Sequence, residues 1–165
     1  MSRVLTLLRH AKSSWNNNDL EDFHRPLNNR GLKVAPVMGQ RFADKKCKLD
    51  AIISSPALRA ITTAQIIAQK NGFIVGQISP NIDIYEATLD VLMNLIHQVN
   101  DQLGSIMLVG HNPGFTELVN YLGNVSIDNM PTCSMAQIEF DVGSWQEISE
   151  HSGKLISFDY PKLIR

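Results

Sequence analysis

The sequence predicts an α/β fold: a three-layer α/β/α sandwich around a mostly parallel but mixed central sheet. Three observations carry that expectation. Short apolar runs alternate with segments of helical periodicity along most of the chain. Each of the first three runs stops at polar or glycine residues, as strands covered on both faces do. The last third changes to two strand-like runs, which implies a hairpin or edge strand and therefore a mixed sheet.

The elements follow in order. Val4-Leu5-Thr6-Leu7-Leu8 reads as a buried strand ending at Arg9-His10. Leu32–Ala43 has a helical pattern interrupted by Pro36, which predicts a late start or a bend there. Ala51-Ile52-Ile53-Ser54 is the second strand. Ala57, Ile61, Ala64 and Ala68 then recur at steps of four, three and four, marking one apolar face on a helix over Ala57–Lys70. Val91, Leu92, Leu95, Ile96, Val99 and Leu103 do the same for the Leu89–Leu103 region. Ser105–Gly110 is the third strand. Phe115, Leu118, Val119 and Leu122 mark a further helix, with Asn112 and Pro113 suited to its start and Gly123 to its exit. Cys133–Phe140 and Leu155–Phe158 read as strands, with Gly143-Ser144 as a turn after the first.

At 165 residues the chain is expected to form a single domain, 1–165. Its 15 basic and 16 acidic residues nearly cancel, which argues against broad binding to nucleic acid or to an anionic membrane. Met1-Ser2-Arg3 leads straight into the first strand, so no signal peptide is expected, and the run after Arg3 is too short to span a bilayer. Cys47 and Cys133 form no Cys-x-x-Cys pair. Both are expected as free thiols in a reducing, cytoplasmic setting.

If the first three strands run parallel, their C-terminal ends share one edge of the sheet. That edge gathers Arg9 and His10, Ser54-Ser55-Pro56 with Arg59 just beyond, and His111. The helix after Pro113 would direct free N–H groups to the same place. Two arginines and two histidines suit a dianionic phosphoryl group, because guanidinium forks match its oxygens. A single such histidine or arginine is ordinarily a surface or packing residue, so the inference rests on joint placement. Other phosphate chemistries leave signatures that are missing here: no Gly-x-x-x-x-Gly-Lys-Ser/Thr loop, no strand-end Asp-x-Asp, no cysteine with an arginine six positions on, and no His-Glu-x-x-His metal spacing. Histidine remains as the nucleophile, with no metal or other cofactor expected. Neighbouring Arg9 and Arg59 disfavour the imidazolium form of His10 and keep a lone pair available.

Arg9-His10-Ala11-Lys12-Ser13, the run Ser54–Ala64 containing Arg59, and Gly110-His111-Asn112-Pro113 together resemble the histidine phosphatase, or phosphoglycerate mutase-like, superfamily. Arg25, in Asp22-Phe23-His24-Arg25-Pro26-Leu27-Asn28-Asn29-Arg30-Gly31, resembles the compact branch that contains the SixA-type phosphohistidine phosphatases. The resemblance runs from about Val4 to His111. It implies His10 as nucleophile and Arg9, Arg59 and His111 as ligands of the phosphoryl oxygens. It adds Arg25 as a further phosphate contact, and Ser13 and Asn16 as secondary polar contacts. Glu86, in Ile84-Tyr85-Glu86-Ala87, falls where the family places its acid/base; the alternative is a helix-start carboxylate beside a helix dipole. Lys12, His24, His97 and His151 are expected to be solvated or structural.

The function expected is a phosphatase that passes a phosphoryl group through His10 to water, acting on phosphohistidine in a protein. A phosphatase for small phosphate esters is the enzymatic alternative, favoured by Glu86, Ser13 and Asn16. A phosphate- or phosphohistidine-binding adaptor without turnover is the alternative of another class, opposed by the intact Arg9, His10, Arg59 and His111 set.

Overall fold

A computed structural model describes residues 2–162. Among them a six-stranded sheet runs in the order β3-β2-β4-β1-β5-β6. Its strands are β1 (Ser2–Arg9), β2 (Ala51–Ser54), β3 (Ser79–Pro80), β4 (Ser105–Gly110), β5 (Met135–Asp141) and β6 (Gly153–Asp159). β1 pairs parallel with β4, β4 with β2, and β2 with β3; β5 and β6 join antiparallel at the other edge. The sheet is therefore mixed, as expected, and the two-residue strand β3 is an addition that no apolar run announced.

Strand alternation divides the interior into two cores, because successive side chains point to opposite faces. Leu5, Leu7, Ile106 and Leu108 pack with residues of α3 (Leu89–His97) and α4 (Gly114–Gly123). Leu8, Ile52, Met107 and Val109 pack with residues of α1 (Asn29–Asp44) and α2 (Leu58–Lys70). Helices thus cover both faces, which explains why β1, β2 and β4 are apolar runs rather than alternating ones.

Helix boundaries differ from the sequence reading in three places. α1 does not begin late: it starts at Asn29, capped by the Asn28 side chain accepting from the Gly31 N–H, and continues through Pro36. Burial of Ala35, Met38, Gly39 and Phe42 along one face offsets the hydrogen bond that Pro36 cannot donate. α3 ends at His97 instead of reaching Leu103. The Asn100 side chain accepts from the Gln102 N–H, a local turn that competes with further helix, while Val99 and Leu103 still pack on the core. Gly123 lies within α4, and Asn124, at φ 52°, takes the left-handed exit position. Cys133, at φ 62°, stands outside β5.

Candidate active site

The C-terminal ends of β1, β2 and β4 meet at one edge: the His10 N–H donates to the Gly110 carbonyl (3.1 Å) and the Ser55 N–H to the Val109 carbonyl (2.9 Å). That junction puts His10 and His111 side by side, with ring centroids 5.1 Å apart. A pocket of about 290 Å³ opens there, walled by Arg9, His10, Ser13, Arg25, Arg59 and His111.

The loop leaving β1 is pinned from several sides. The Ala11 N–H donates to Thr63 Oγ1 (3.0 Å), itself bonded to the Arg59 carbonyl. The Ser14 N–H donates to the Pro26 carbonyl, and the Asn28 N–H to the Lys12 carbonyl. A methyl at Gly31 would lie 2.3 Å from that Lys12 oxygen, so only glycine lets α1 approach the loop so closely. From the opposite side, the Cys133 N–H donates to the carbonyls of Arg9 and His10.

His10 is 7% exposed. Its Nδ1 lies 2.7 Å from the Ala11 carbonyl oxygen. A carbonyl can only accept, so Nδ1 carries the hydrogen and Nε2 keeps its lone pair. Burial lowers the imidazole pKa to about 4; Arg59, Arg9 and Arg25 add to this, outweighing the Ala11 bond that favours the cation. Burial, then His10 and Arg59, lower His111 to about 3. Both rings are therefore neutral near pH 7. Ser55 Oγ accepts from the Ala57 N–H (3.2 Å) and lies 2.7 Å from His111 Nε2. Its own hydrogen can therefore serve that nitrogen, which leaves His111 Nδ1–H as a donor. His111 Nδ1, Arg9 Nε and Arg59 Nε are all buried without a hydrogen-bond partner. Buried donors in one small pocket suit an oxygen-rich anion.

The arginines are held by different parts of the chain. Arg9 Nη1 donates to the Met130 carbonyl (2.7 Å), in the loop before β5. Arg25 Nη1 donates to Ser13 Oγ (2.8 Å), and its guanidinium lies 3.5 Å from the ring centre of Trp15, which is 73% exposed. Arg59, in the first turn of α2, donates through Nη2 to Asp22 Oδ2 (2.9 Å) and through Nη1 to the Asp22 carbonyl (2.7 Å).

Asp22 was not among the expected site residues, yet it organises this wall. It also accepts from Arg25 Nε (3.1 Å) and from the Tyr85 hydroxyl (2.6 Å). Partial burial works against its charge, but the Tyr85, Arg59 and Arg25 bonds prevail and lower its pKa to about 2. Tyr85 is pushed up to about 12, by burial and then by Asp22, so it stays protonated as a donor. Its ring stands edge-on to His111, with centroids 5.5 Å apart. The only sequence signal for Asp22 was its place three residues before Arg25. For Ser55, Thr63 and Met130, which act through a hydroxyl or a backbone carbonyl, nothing in residue type marked the role.

Two expected residues do not line the pocket. Asn16 is exposed and does not line the pocket. Glu86 is also exposed, next to Tyr85, with a left-handed backbone at φ 55°. The expected N–H donors of α4 are mostly engaged: Phe115 N–H with the His111 carbonyl, Thr116 N–H with Asn112 Oδ1, and Glu117 N–H with the Pro113 carbonyl. Burial raises the Cys133 thiol to about 12, which makes it a packing residue. Among the described residues, no three His, Cys, Asp or Glu side chains are grouped to hold a metal ion, and no helix is long and apolar enough to cross a membrane.

Known proteins are similar to this chain in sequence and fold. The family model for the histidine phosphatase superfamily (branch 1) matches residues 5–86. An uncharacterized chloroplastic protein of Arabidopsis thaliana is 32% identical, over 93% of this chain and 73% of its own length. An uncharacterized protein of Mycobacterium tuberculosis is 25% identical, over 94% of this chain and 100% of its own. A crystal structure from Agrobacterium tumefaciens, described as a candidate phosphohistidine phosphatase SixA, superposes with a TM-score of 0.80 at 27% identity, covering 96% of this chain and 98% of that one. The protein histidine phosphatase SixA complexed with tungstate gives the same TM-score at 18% identity, covering 96% and 97%, and shares the fold. The chain belongs to the histidine phosphatase superfamily, in its compact SixA-like branch, and is a phosphatase.

Proposed function

We propose that the protein removes phosphoryl groups from histidine side chains of another protein, through a phosphohistidine intermediate on His10. The observation that carries this reading is the His10–Ala11 hydrogen bond, which leaves Nε2 unprotonated inside a pocket walled by three arginines. Nε2 attacks phosphorus, and the phosphorus–nitrogen bond of the substrate breaks. The released imidazole keeps that electron pair and takes a proton. Water then cleaves the His10 phosphoramidate to give inorganic phosphate and the free imidazole. Arg9, Arg25 and Arg59 neutralise the oxygens as charge spreads over them, and His111 Nδ1–H donates to one. Catalysis of this kind is mostly positioning and charge stabilisation.

The pocket lies at the surface, with exposed Trp15 at its rim, which suits a side chain presented by a folded partner. The similarity to phosphohistidine phosphatase structures supports the same substrate class. A cytoplasmic setting is part of this reading, in keeping with the free thiols Cys47 and Cys133. Phosphate release from a phosphorylated histidine-bearing carrier domain, measured for wild type and His10→Ala, tests it. Release by wild type that His10→Ala abolishes is expected; release from an aryl phosphate alone contradicts it.

Glu86 favours a second activity on phosphate esters. Glu86 directly follows Tyr85, whose ring stands edge-on to His111 with centroids 5.5 Å apart. An alkoxide leaving group needs a proton more than an imidazole does, and Glu86 is assigned to supply it. Glu86→Gln is expected to slow aryl or alkyl phosphate hydrolysis by about a hundredfold or more. Phosphohistidine hydrolysis should stay within about twofold of wild type. Equal effects on both substrates contradict that division.

A further inference from the structure

A second cleft, of about 420 Å³, adjoins the phosphoryl pocket and shares Lys12 and Thr132 with it. Its wall is built by the Gly31 contact described above, which seats the first turn of α1 against the loop leaving β1. Lys12, Arg30 and Lys162 line it, and no acidic residue does. Their side chains make no hydrogen bond or ion pair with another described residue. The carboxylate at the end of β6, Asp159, directly precedes Tyr160 of the cleft and is already bound to Arg41. Pro131, Tyr160 and Val34 supply an apolar floor on which the stem of a long acidic side chain can lie. In a chain whose net formal charge is only −1, Arg59, Arg25, Arg9, Lys12, Arg30 and Lys162 line two contiguous cavities.

We propose that this cleft receives aspartate or glutamate side chains of the phosphorylated protein, so that the enzyme selects a phosphohistidine flanked by acidic residues. The selection rests on the protein-phosphohistidine reading above; the anion-binding cleft itself does not. Charge complementarity of this kind contributes chiefly to partner choice and encounter rate, and it weakens with salt.

Two measurements on the full chain separate the two claims. In the first, a phosphate-free peptide with a central histidine and Asp/Glu flanks is titrated into 15N-labelled protein, beside its Asn/Gln counterpart. Shifts of the Gly31, Val34 and Thr132 amides are expected with the acidic peptide only, weakened about two- to fivefold by Arg30→Gln and restored by Arg30→Lys. Equal shifts with both peptides, or none, overturn the cleft.

In the second, kcat/KM is compared for phosphohistidine peptides with acidic and neutral flanks. The acidic peptide is expected to be preferred, and Arg30→Gln to reduce that preference while leaving the neutral peptide unchanged. A preference that is missing, or that survives Arg30→Gln, overturns the selectivity. Amide shifts with no phosphate release from either peptide support the cleft and overturn the phosphohistidine reading.

Discussion

Asp22 and Arg59 face each other across the pocket rim, joined by a 2.9 Å bond from Arg59 Nη2 to Asp22 Oδ2. The same carboxylate holds Arg25 and the Tyr85 hydroxyl, so one anion fixes two arginines of the pocket wall. Asp22 is an internal counter-charge. In the proposed mechanism it orients the forks that meet the phosphoryl group and limits how tightly the product phosphate is held.

Asp22→Asn is therefore expected to bind inorganic phosphate about threefold to tenfold more tightly, the size of a partly screened single charge near the surface. Turnover is expected to fall, because Arg25 and Arg59 lose a fixed partner. Product-inhibition constants check this, and an unchanged inhibition constant contradicts it.

His10 is expected to stay a neutral Nδ1–H tautomer down to about pH 4, because burial and three arginines oppose its proton while Ala11 fixes the hydrogen. Long-range 15N NMR of the imidazole reads both properties. Titration near the ordinary value of about 6.5 contradicts the account.

The two buried histidines also shape stability against pH. Their folded pKa values, about 4 for His10 and about 3 for His111, lie below the unfolded value of about 6.5. The unfolded chain therefore takes up protons first as pH falls. Stability is full well above about pH 6.5 and declines toward pH 4, by about 2–3 kcal/mol for each histidine between pH 7.5 and 4.5. Asp22 acts in a lower window, losing its contribution as pH falls from about 4 toward 2. Urea denaturation at several pH values measures the decline, and His111→Asn should flatten it.

Gly31→Ala places a methyl 2.3 Å from the backbone oxygen of Lys12, which cannot swing aside as a side chain would. A loss of about 1–3 kcal/mol in stability is expected. A lower kcat/KM should accompany it, since the displaced loop carries Ala11 and Ser13. Unchanged urea midpoints contradict this.

What the sequence made legible, and what it hid, follow from the distance over which each feature is determined. Arg9, His10 and His111 were legible because each directly follows an apolar strand, and Arg59 because it opens the next helix. The division of the fold into parallel strands and covering helices was legible for the same local reason. Asp22 and Tyr85 were not, since their roles arise only when a loop 63 residues earlier in the chain closes over Tyr85. The Ala11 carbonyl that sets the His10 tautomer has no side-chain signal at all. Pro36 misled because the hydrogen bond it removes is local and visible, while the packing of Ala35, Met38 and Phe42 that compensates is tertiary. Asn16 was drawn from a family position that the loop after Trp15 does not bring into the pocket.

The most direct test is rapid acid-free quenching of the enzyme with a phosphorylated carrier domain, followed by mass spectrometry and 31P NMR. One phosphoryl group on His10 is expected, attached through Nε2, stable to base and labile to acid, and missing in His10→Ala. Phosphate released with no phosphoenzyme in wild type, or a phosphoryl group on any other residue, would contradict it.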